Sequence, residues 1–370
     1  MDNKETLRFS SLTDNITPTP NLVEVIDNRR DYVYYGNDNL FPQYILDLYY
    51  HSAVMESIVK QMKDYIVGNG LIVSDAIGSF ADKVNGDYET MEDVIEKAVF
   101  DFLLFDGFAI QIFRDDKDRI KEIYNLDFAN CRLSQDGKYV FYSNDWSKYN
   151  AKTKKIARFD REKLQKNSIF YFKSQMTPQS KTYPIPQYIG ALSDIRTSTE
   201  ISNFHLNSVL NDFNSSCIIN LNCGDVDEET KKKIERKFAE KFTGSNNASR
   251  FMLNFNDNKE TEMTVARLGA GDFDKRYQQL AKDTVKNIFV GFRTQPQLCG
   301  YIVEGSLFNK QEFMDAFSLF NRTVIRPYQK AIQRAFSVMF GLDNAIIIKP
   351  FTIEDVKVEE KEEVKVEETV

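Results

Sequence analysis

The residue types that most often carry chemistry are scarce in this 370-residue chain: two histidines, His51 and His205, and four cysteines, Cys131, Cys217, Cys223 and Cys299. Neither histidine has a Cys, Asp or His partner at a metal-ligand spacing. Cys217 and Cys223 fall around an expected strand and read as small sheet residues rather than zinc ligands. Asp115, Asp116 and Asp118 crowd together as in a calcium loop, but the glycine at loop position six and the glutamate at position twelve are missing, so they read as a solvated hairpin tip. Gly269-Ala270-Gly271 precedes an expected helix, where a phosphate could sit; two glycines before a helix are more simply a hinge. There is no Gly-x-x-x-x-Gly-Lys-Ser/Thr loop, no Gly-x-Ser-x-Gly elbow and no recognisable carboxylate pair for acid–base work. The expectation is a non-enzyme with no catalytic residue, cofactor or metal.

Positive charge does cluster. Lys231, Lys232, Lys233, Arg236, Lys237 and Lys241 crowd one expected helix, interleaved with Glu228, Glu229, Glu235 and Glu240. A solvated helix face is the ordinary reading. Contact with an acidic partner or with DNA phosphates is the functional one.

The elements that would hold these residues can be read from periodicity. Residues 1–30 form a polar arm with Pro18 and Pro20, expected to be extended. A short strand over 32–35 ends at Gly36-Asn37-Asp38-Asn39. Pro42 suits the first position of a helix, which runs to Val67 and stops at Gly68-Asn69-Gly70. A second helix over 89–105 carries one apolar stripe, Met91, Val94, Ile95, Ala98, Val99, Phe102 and Leu103, and ends at Asp106-Gly107. Strands follow over 108–114, 120–125, 131–134, 138–142 and 169–173. They make an α+β unit with a small antiparallel sheet.

Beyond Tyr183-Pro184-Ile185-Pro186 the pattern becomes helical to about residue 214. Its stripe (Ile189, Leu192, Ile195, Ile201, Phe204, Val209, Phe213) is ragged, and a half-polar helix of this kind is shared with a neighbouring chain or solvated on one side. Residues 217–268 read as a small β-α-β-β insert: a strand over 217–221, a helix ending at Phe242, and strands over 251–255 and 262–268. A helix over 273–292 follows, then an irregular stretch over 294–306. The longest helix spans 308–340, with apolar residues including Phe313, Phe317, Phe320, Val324 and Tyr328, and with a kink expected at Pro327.

Composition narrows the function classes. Hydrophobic residues make up 42% and aromatics 13%, enough for a substantial core, which excludes a wholly disordered chain. No apolar run approaches the ~18–20 residues of a membrane helix, and the first residues lack the pattern of a signal peptide; folding in a cytoplasm is expected. The scattered cysteines exclude a disulfide framework. Net charge is −7, but residues 351–370 hold eight acidic residues and three lysines, so the body is nearly neutral. Such a body does not grip nucleic acid tightly. The acidic tail is expected to be disordered or to order on binding.

The order of these elements resembles the portal proteins of tailed bacteriophages, from about residue 35 to 340. Tyr183-Pro184-Ile185-Pro186-Gln187-Tyr188-Ile189 resembles the family's Leu-Ser-Pro-Ile lead-in to a long helix. Phe242-Thr243-Gly244-Ser245-Asn246-Asn247-Ala248-Ser249-Arg250 is similar to its Gly-x-x-Asn-Ala-Gly-Arg turn. The run from Ile288 through Phe292, Pro296 and Leu298 to Gly300 is similar to its Ile-Ala-x-x-Phe-x-Val-Pro-Pro-x-Leu-Leu-Gly. The stretch from Ser306 to Arg326-Pro327 resembles the segment leading to its Leu-Arg-Pro, and Tyr35-Gly36-Asn37-Asp38-Asn39-Leu40-Phe41-Pro42 is consistent with a phage subfamily.

The resemblance implies a ring, commonly of twelve subunits, at one capsid vertex of the virion. Terminase would pump double-stranded DNA through its channel, and the DNA would later leave by the same route. It implies further contacts with a head–tail adaptor and with the major capsid and scaffold proteins, and none with a membrane. By analogy, 31–185 and 310–350 would be the wing, 186–215 and 272–293 the stem, and 216–271 the clip, which carries the six basic residues named above. Residues 294–309 would be the tunnel loop, with Tyr301, Ile302, Val303, Glu304, Ser306, Asn309 and Lys310 facing DNA. That loop holds no Lys or Arg before Lys310, which departs from a basic, DNA-touching loop. Two other classes stay open: a nucleic-acid-processing enzyme with an inserted cap, and a monomeric adaptor docking through its acidic tail.

Overall fold

The computed structural model describes residues 22–353, apart from 28, 149, 175–179, 211–216, 223–228, 231, 235–250, 257–269 and 302–308. The chain divides into two compact units. A sheet unit takes the residues up to 44, 59–186 and those from 308 on; a helical unit takes 45–58 and 187–307.

In the sheet unit, helix α3 (Met91–Phe105) starts where Thr90 and Asp93 cap each other. The Asp93 N–H donates to Thr90 Oγ1 at 3.2 Å, and the Thr90 N–H donates to Asp93 Oδ2 at 2.8 Å. It stops at Asp106, whose φ of 58° is left-handed. Gly107 then opens strand β4 (Gly107–Arg114) hard against the Phe172 carbonyl and the Phe128 ring, where a Cβ would come within 2.7 and 2.9 Å. The stripe read from the sequence is the buried face of α3.

The other strands of the β4 sheet are β5 (Ile120–Leu126), β6 (Cys131–Leu133), β7 (Tyr139–Tyr142), β8 (Lys154–Arg158) and β9 (Asn167–Lys173), in the order β5-β4-β9-β8-β7-β6. Strand β4 lies one in from the edge, paired with β5 and β9. The expected sheet was small and antiparallel; the one formed has six strands, and β8 pairs with β9 in parallel. Two short ribbons flank it. Strand β1 (Glu24–Ile26) pairs with β2 (Val33–Tyr35), so the expected extended arm holds a strand in its last residues. Strand β3 (Leu71–Val73) pairs with β12 (Ile346–Ile348).

Helices α1 (Phe41–His51) and α2 (Ala53–Val67) stand where one continuous helix was expected. The break is Ser52, a buried hydroxyl that accepts from the Met55 N–H at 3.3 Å and lies 3.2 Å from Ser198 Oγ. A serine that bonds locally competes with the helical ladder. The longest expected helix is also divided. Helix α6 (Lys310–Phe320) and α7 (Arg326–Phe340) are joined by a π turn, Asn321–Ile325. Pro327 is at the start of α7 and lacks the N–H that the helix would use. The wider turn ahead of it absorbs the mismatch, so the expected irregularity lies one turn upstream of the proline. The α7 face bearing Tyr328, Ile332, Phe336 and Met339 is buried; Tyr328 meets Phe102 at 4.7 Å between ring centroids, and Phe336 meets Phe108 at 6.5 Å.

In the helical unit, a 3-10 turn (Ile189–Ala191) leads into α4 (Leu192–Leu210), and α5 (Ala270–Gly291) runs beside it. Strands β10 (Cys217–Asn222) and β11 (Phe251–Asn256) pair in parallel. A parallel pair needs a crossover connection, and residues 229–230 and 232–234 between them are helical. The expected third strand over 262–268 and the end of the first long helix over 211–214 lie outside the described residues.

Candidate functional site

The helix pair α4–α5 is the frame on which the candidate site is built. At one end it is tightly packed. Ala191, Leu192 and Ile195 are buried on one helix, and Thr284, Ile288, Phe289 and Phe292 on and just beyond the other. Gly291 faces the Ala191 side chain so closely that no Cβ fits. Tyr188 stacks on Phe292 at 4.4 Å and 15°, and the Asn287 amide donates to Asp194 Oδ1 at 3.1 Å.

Along the pair away from this end, cover is lost. Phe204 and Leu206 are each 57% exposed, and Leu280 is 48% exposed. Phe204 and His205 touch only the Tyr277 ring and each other among the described aromatic contacts. The ragged stripe of the sequence is thus buried at Leu192 and Ile195 and left open at Phe204, while Val209 and Phe213 have no described side chain.

The closed end of α5 positions the segment expected to face DNA. Pro296 opens a 3-10 turn (Pro296–Cys299), Leu298 is buried, and Gly300 takes a left-handed φ of 73°. The Tyr301 N–H donates to the Pro296 carbonyl at 3.0 Å, which folds the chain back on itself. Tyr301 rests its ring 5.7 Å from Phe289 and stays 45% exposed. The run Ile288–Gly300 therefore acts as one structural device that ends a helix and presents Tyr301. In the sheet unit, Asn309 caps α6 by accepting from the Gln311 N–H at 3.0 Å, and exposed Lys310 begins that helix. Ile302, Val303, Glu304 and Ser306 lie outside the described residues.

Of the basic cluster, Lys232 and Lys233 are helical and exposed. Lys233 Nζ lies 3.2 Å from Glu229 Oε1, four residues earlier; an exposed pair of this kind contributes little to stability. Lys231, Arg236, Lys237 and Lys241 lie outside the described residues.

The sites set aside in the sequence have structural occupations. Asp115 Oδ1 accepts from the Lys117 and Arg119 N–H groups at 2.8 and 2.9 Å, and Asp116 pairs with Lys166 at 2.6 Å, as at a hairpin tip. His51 is exposed and faces Asp47. Among the described residues no group of three His, Cys, Asp or Glu is placed to hold a metal ion, and no helix is long and apolar enough to cross a membrane.

Two buried polar groups were not marked by the sequence. Arg132 on β6 is fully buried and all five of its N–H groups are used: Nε donates to Asn39 Oδ1 at 2.6 Å, Nη1 to the Ala129 and Cys131 carbonyls at 2.8 Å, and Nη2 to the Asn39 carbonyl at 2.7 Å and Gln43 Oε1 at 3.2 Å. Its plane lies 4.9 Å from the Trp146 ring. Burial lowers its pKa, and among the described residues no carboxylate pairs with it. This is a clamp joining β6 to the loop before α1, not an anion site. Asp101 on α3 accepts from the Asn125 amide at 3.1 Å and the Phe128 N–H at 3.4 Å. Burial pushes its carboxyl up to about 8.

Comparison with known proteins places this architecture. A family model described as phage portal protein matches residues 80–360. Among solved structures, a chain of the virion of a native gene transfer agent particle is 15% identical, with a TM-score of 0.54 and 83% of each chain covered. A chain from the neck of an empty particle of that kind, computed with C6 symmetry, gives 15%, 0.55 and 85% of each chain. An HK97-family phage portal protein from Corynebacterium diphtheriae gives 10% and 0.50, covering 82% of this chain and 93% of its own. No curated protein matches the chain. At these identities the solved structures establish a shared mixed helix-and-sheet fold. The family model spans most of the sequence, through the sheet unit, the helix pair and the long divided helix, and the chain belongs to the phage portal protein family.

Proposed function

We propose that the protein is the subunit of a portal ring at one capsid vertex, the conduit through which viral DNA is packaged and later ejected. The observation that carries this reading is the pair of apolar side chains Phe204 and Leu280, on α4 and α5, that one copy leaves about half exposed. Exposed apolar faces of this kind are covered by association. A cyclic arrangement of identical copies covers every such face equally and closes on itself. The similar neck chains come from particles computed with C6 and C12 symmetry, which supports a ring of that order.

In this reading the sheet unit is the wing, α4 and α5 are the stem, and residues 216–271 are the clip. The clip's lysines, Lys232 and Lys233 among them, meet terminase during packaging and a head–tail adaptor afterwards. Residues 294–309 are the tunnel loop. A conduit must not hold its cargo, which agrees with the near-neutral body and with an aromatic, Tyr301, rather than a cation at the loop's start. The protein's role is structural and its place is the virion.

Electron microscopy of the purified protein, with light scattering at high concentration, tests the reading. Annular particles of uniform mass are expected. Monomers alone, at every concentration and in the presence of assembly partners, would overturn it.

A further inference from the structure

The long divided helix carries a second basic surface, apart from the clip. Arg322, Arg326, Lys330 and Arg334 recur every fourth residue, and all four are exposed. Spacing of four keeps side chains on one side of a helix. From Asp315 to Asp343 the sequence contains no intervening Asp or Glu. None of the four makes an ion pair among the described residues. Exposed cations in a protein of net charge −7 are usually interleaved with carboxylates; here a row of them faces solvent unpaired.

The chain itself holds the complementary charge, and the structure shows where it departs. Phe351 packs its ring 5.0 Å from Tyr65 and 6.1 Å from Phe317 on α6, and the Asn69 amide donates to Thr352 Oγ1 at 3.0 Å. Phe317 is about 7 Å along the helix from Arg322. Residues 354–370 then bring adjacent carboxylates at Glu354-Asp355, Glu359-Glu360, Glu362-Glu363 and Glu367-Glu368. The basic row is about 18 Å long. An extended segment of this length reaches about 55 Å.

We propose that residues 354–370 lie along the Arg322–Arg326–Lys330–Arg334 row of the same chain and mask it from other polyanions. The tether at Phe351 and the opposite charges carry this placement, which does not depend on the ring. So placed, the acidic segment keeps a basic helix in a DNA-handling particle from retaining a nucleic-acid backbone.

Zero-length carbodiimide cross-linking of the full chain, read by mass spectrometry of the monomer band on a denaturing gel, tests it. Lys330 should link to glutamates of 354–370, and Arg326→Glu with Arg334→Glu, which leaves Lys330 as reporter, should abolish the link. A second measurement is binding of a short fluorescent duplex DNA at low salt. Changing Glu359, Glu360, Glu362 and Glu363 to Gln should tighten it about tenfold, with a steeper salt dependence. Links confined to other lysines, links only between copies, or duplex binding unchanged by the four substitutions would overturn the proposal; strong duplex binding by the unaltered chain would overturn it too, making DNA the occupant of the row.

Discussion

Asp101 shows how one buried side chain makes stability depend on pH. Its carboxyl is raised from 3.8 to about 8 by burial, partly offset by the Asn125 amide and the Phe128 N–H, with Asp127 nearby adding repulsion. An unfolded chain ionises this group near pH 4, whereas the folded chain keeps its proton to about 8. Between those values the native state binds one more proton than the unfolded state, so the contribution falls as pH rises and levels off above 8. The slope is at most about 1.4 kcal/mol per pH unit. Asn at this position can still accept those bonds and can also donate to Asn125 Oδ1, which otherwise has no partner. Asp101→Asn should therefore be more stable than the parent at pH 8.5, with the gain shrinking toward pH 4.5, in paired urea titrations. A gain of equal size at both pH values would show that the proton is not involved. Arg132 gives the opposite case. Arg132→Met removes five donors: Asn39 Oδ1 keeps the Tyr35 N–H and the Ala129 carbonyl keeps the Gln43 amide, but the Asn39 carbonyl loses its guanidinium partner in the interior. An unpaired buried acceptor costs about 1–3 kcal/mol and each hydrogen bond lost from a charged donor adds to it, so a loss of about 2–4 kcal/mol is expected in chemical denaturation. A loss below about 1 kcal/mol would mean that water replaces the guanidinium.

At the scale of elements, helix α6 offers a direct check of what its stripe does. Phe317 and Phe320 are buried, and Phe317 meets Tyr65 at 5.4 Å. Phe317→Asp places a carboxylate against the Tyr65 and Phe351 rings, at a cost of several kcal/mol, roughly, unless the group takes a proton. Thermal unfolding should shift downward sharply, and an unchanged transition would mean the stripe is not core. This stripe was legible in the sequence because burial, periodicity and helix length agree in it, as they do in α3 with its Thr90–Asp93 cap and Asp106-Gly107 stop. The turn that presents Tyr301 was legible only as an irregular stretch with Pro296 and Gly300, because its closing bond, from the Tyr301 N–H to the Pro296 carbonyl, leaves no periodic pattern. The break at Ser52 was not legible: its partner, Ser198, is 146 positions away. Strand β8 was hidden for a different reason. Lys154-Lys155-Ile156-Ala157-Arg158 has little apolar alternation and is ordered by pairing with β7 on one side and β9 on the other. The ribbon β3–β12 joins residues from distant parts of the chain, and no local pattern announces such a pairing. Arg132 gave no signal, because a lone arginine in a short strand looks like an exposed one until Asn39, Gln43 and Trp146 are folded around it.

For the whole molecule, the decisive contrast is between apolar residues that one copy buries and those it leaves open. Phe317 belongs to the first kind; Phe204 and Leu280 belong to the second. If identical copies cover the open face, a charge there is cheap in the monomer and costly in the assembly. Phe204→Glu and Leu280→Glu should change the unfolding free energy of the isolated chain by no more than about 0.5 kcal/mol, as for other exposed positions. In a closed ring the same carboxylate recurs at every seam, where it is desolvated without a partner. Even about 2 kcal/mol at each of many seams multiplies into complete loss of closure. The expected result is a folded chain that elutes as a monomer and forms no annular particles, while reversal of Lys232 and Lys233 to Glu leaves particles intact and weakens binding of the packaging motor or the adaptor. Rings that form normally with Glu at both 204 and 280 would show that this face looks outward to solvent, and the copies would then have to meet through another surface.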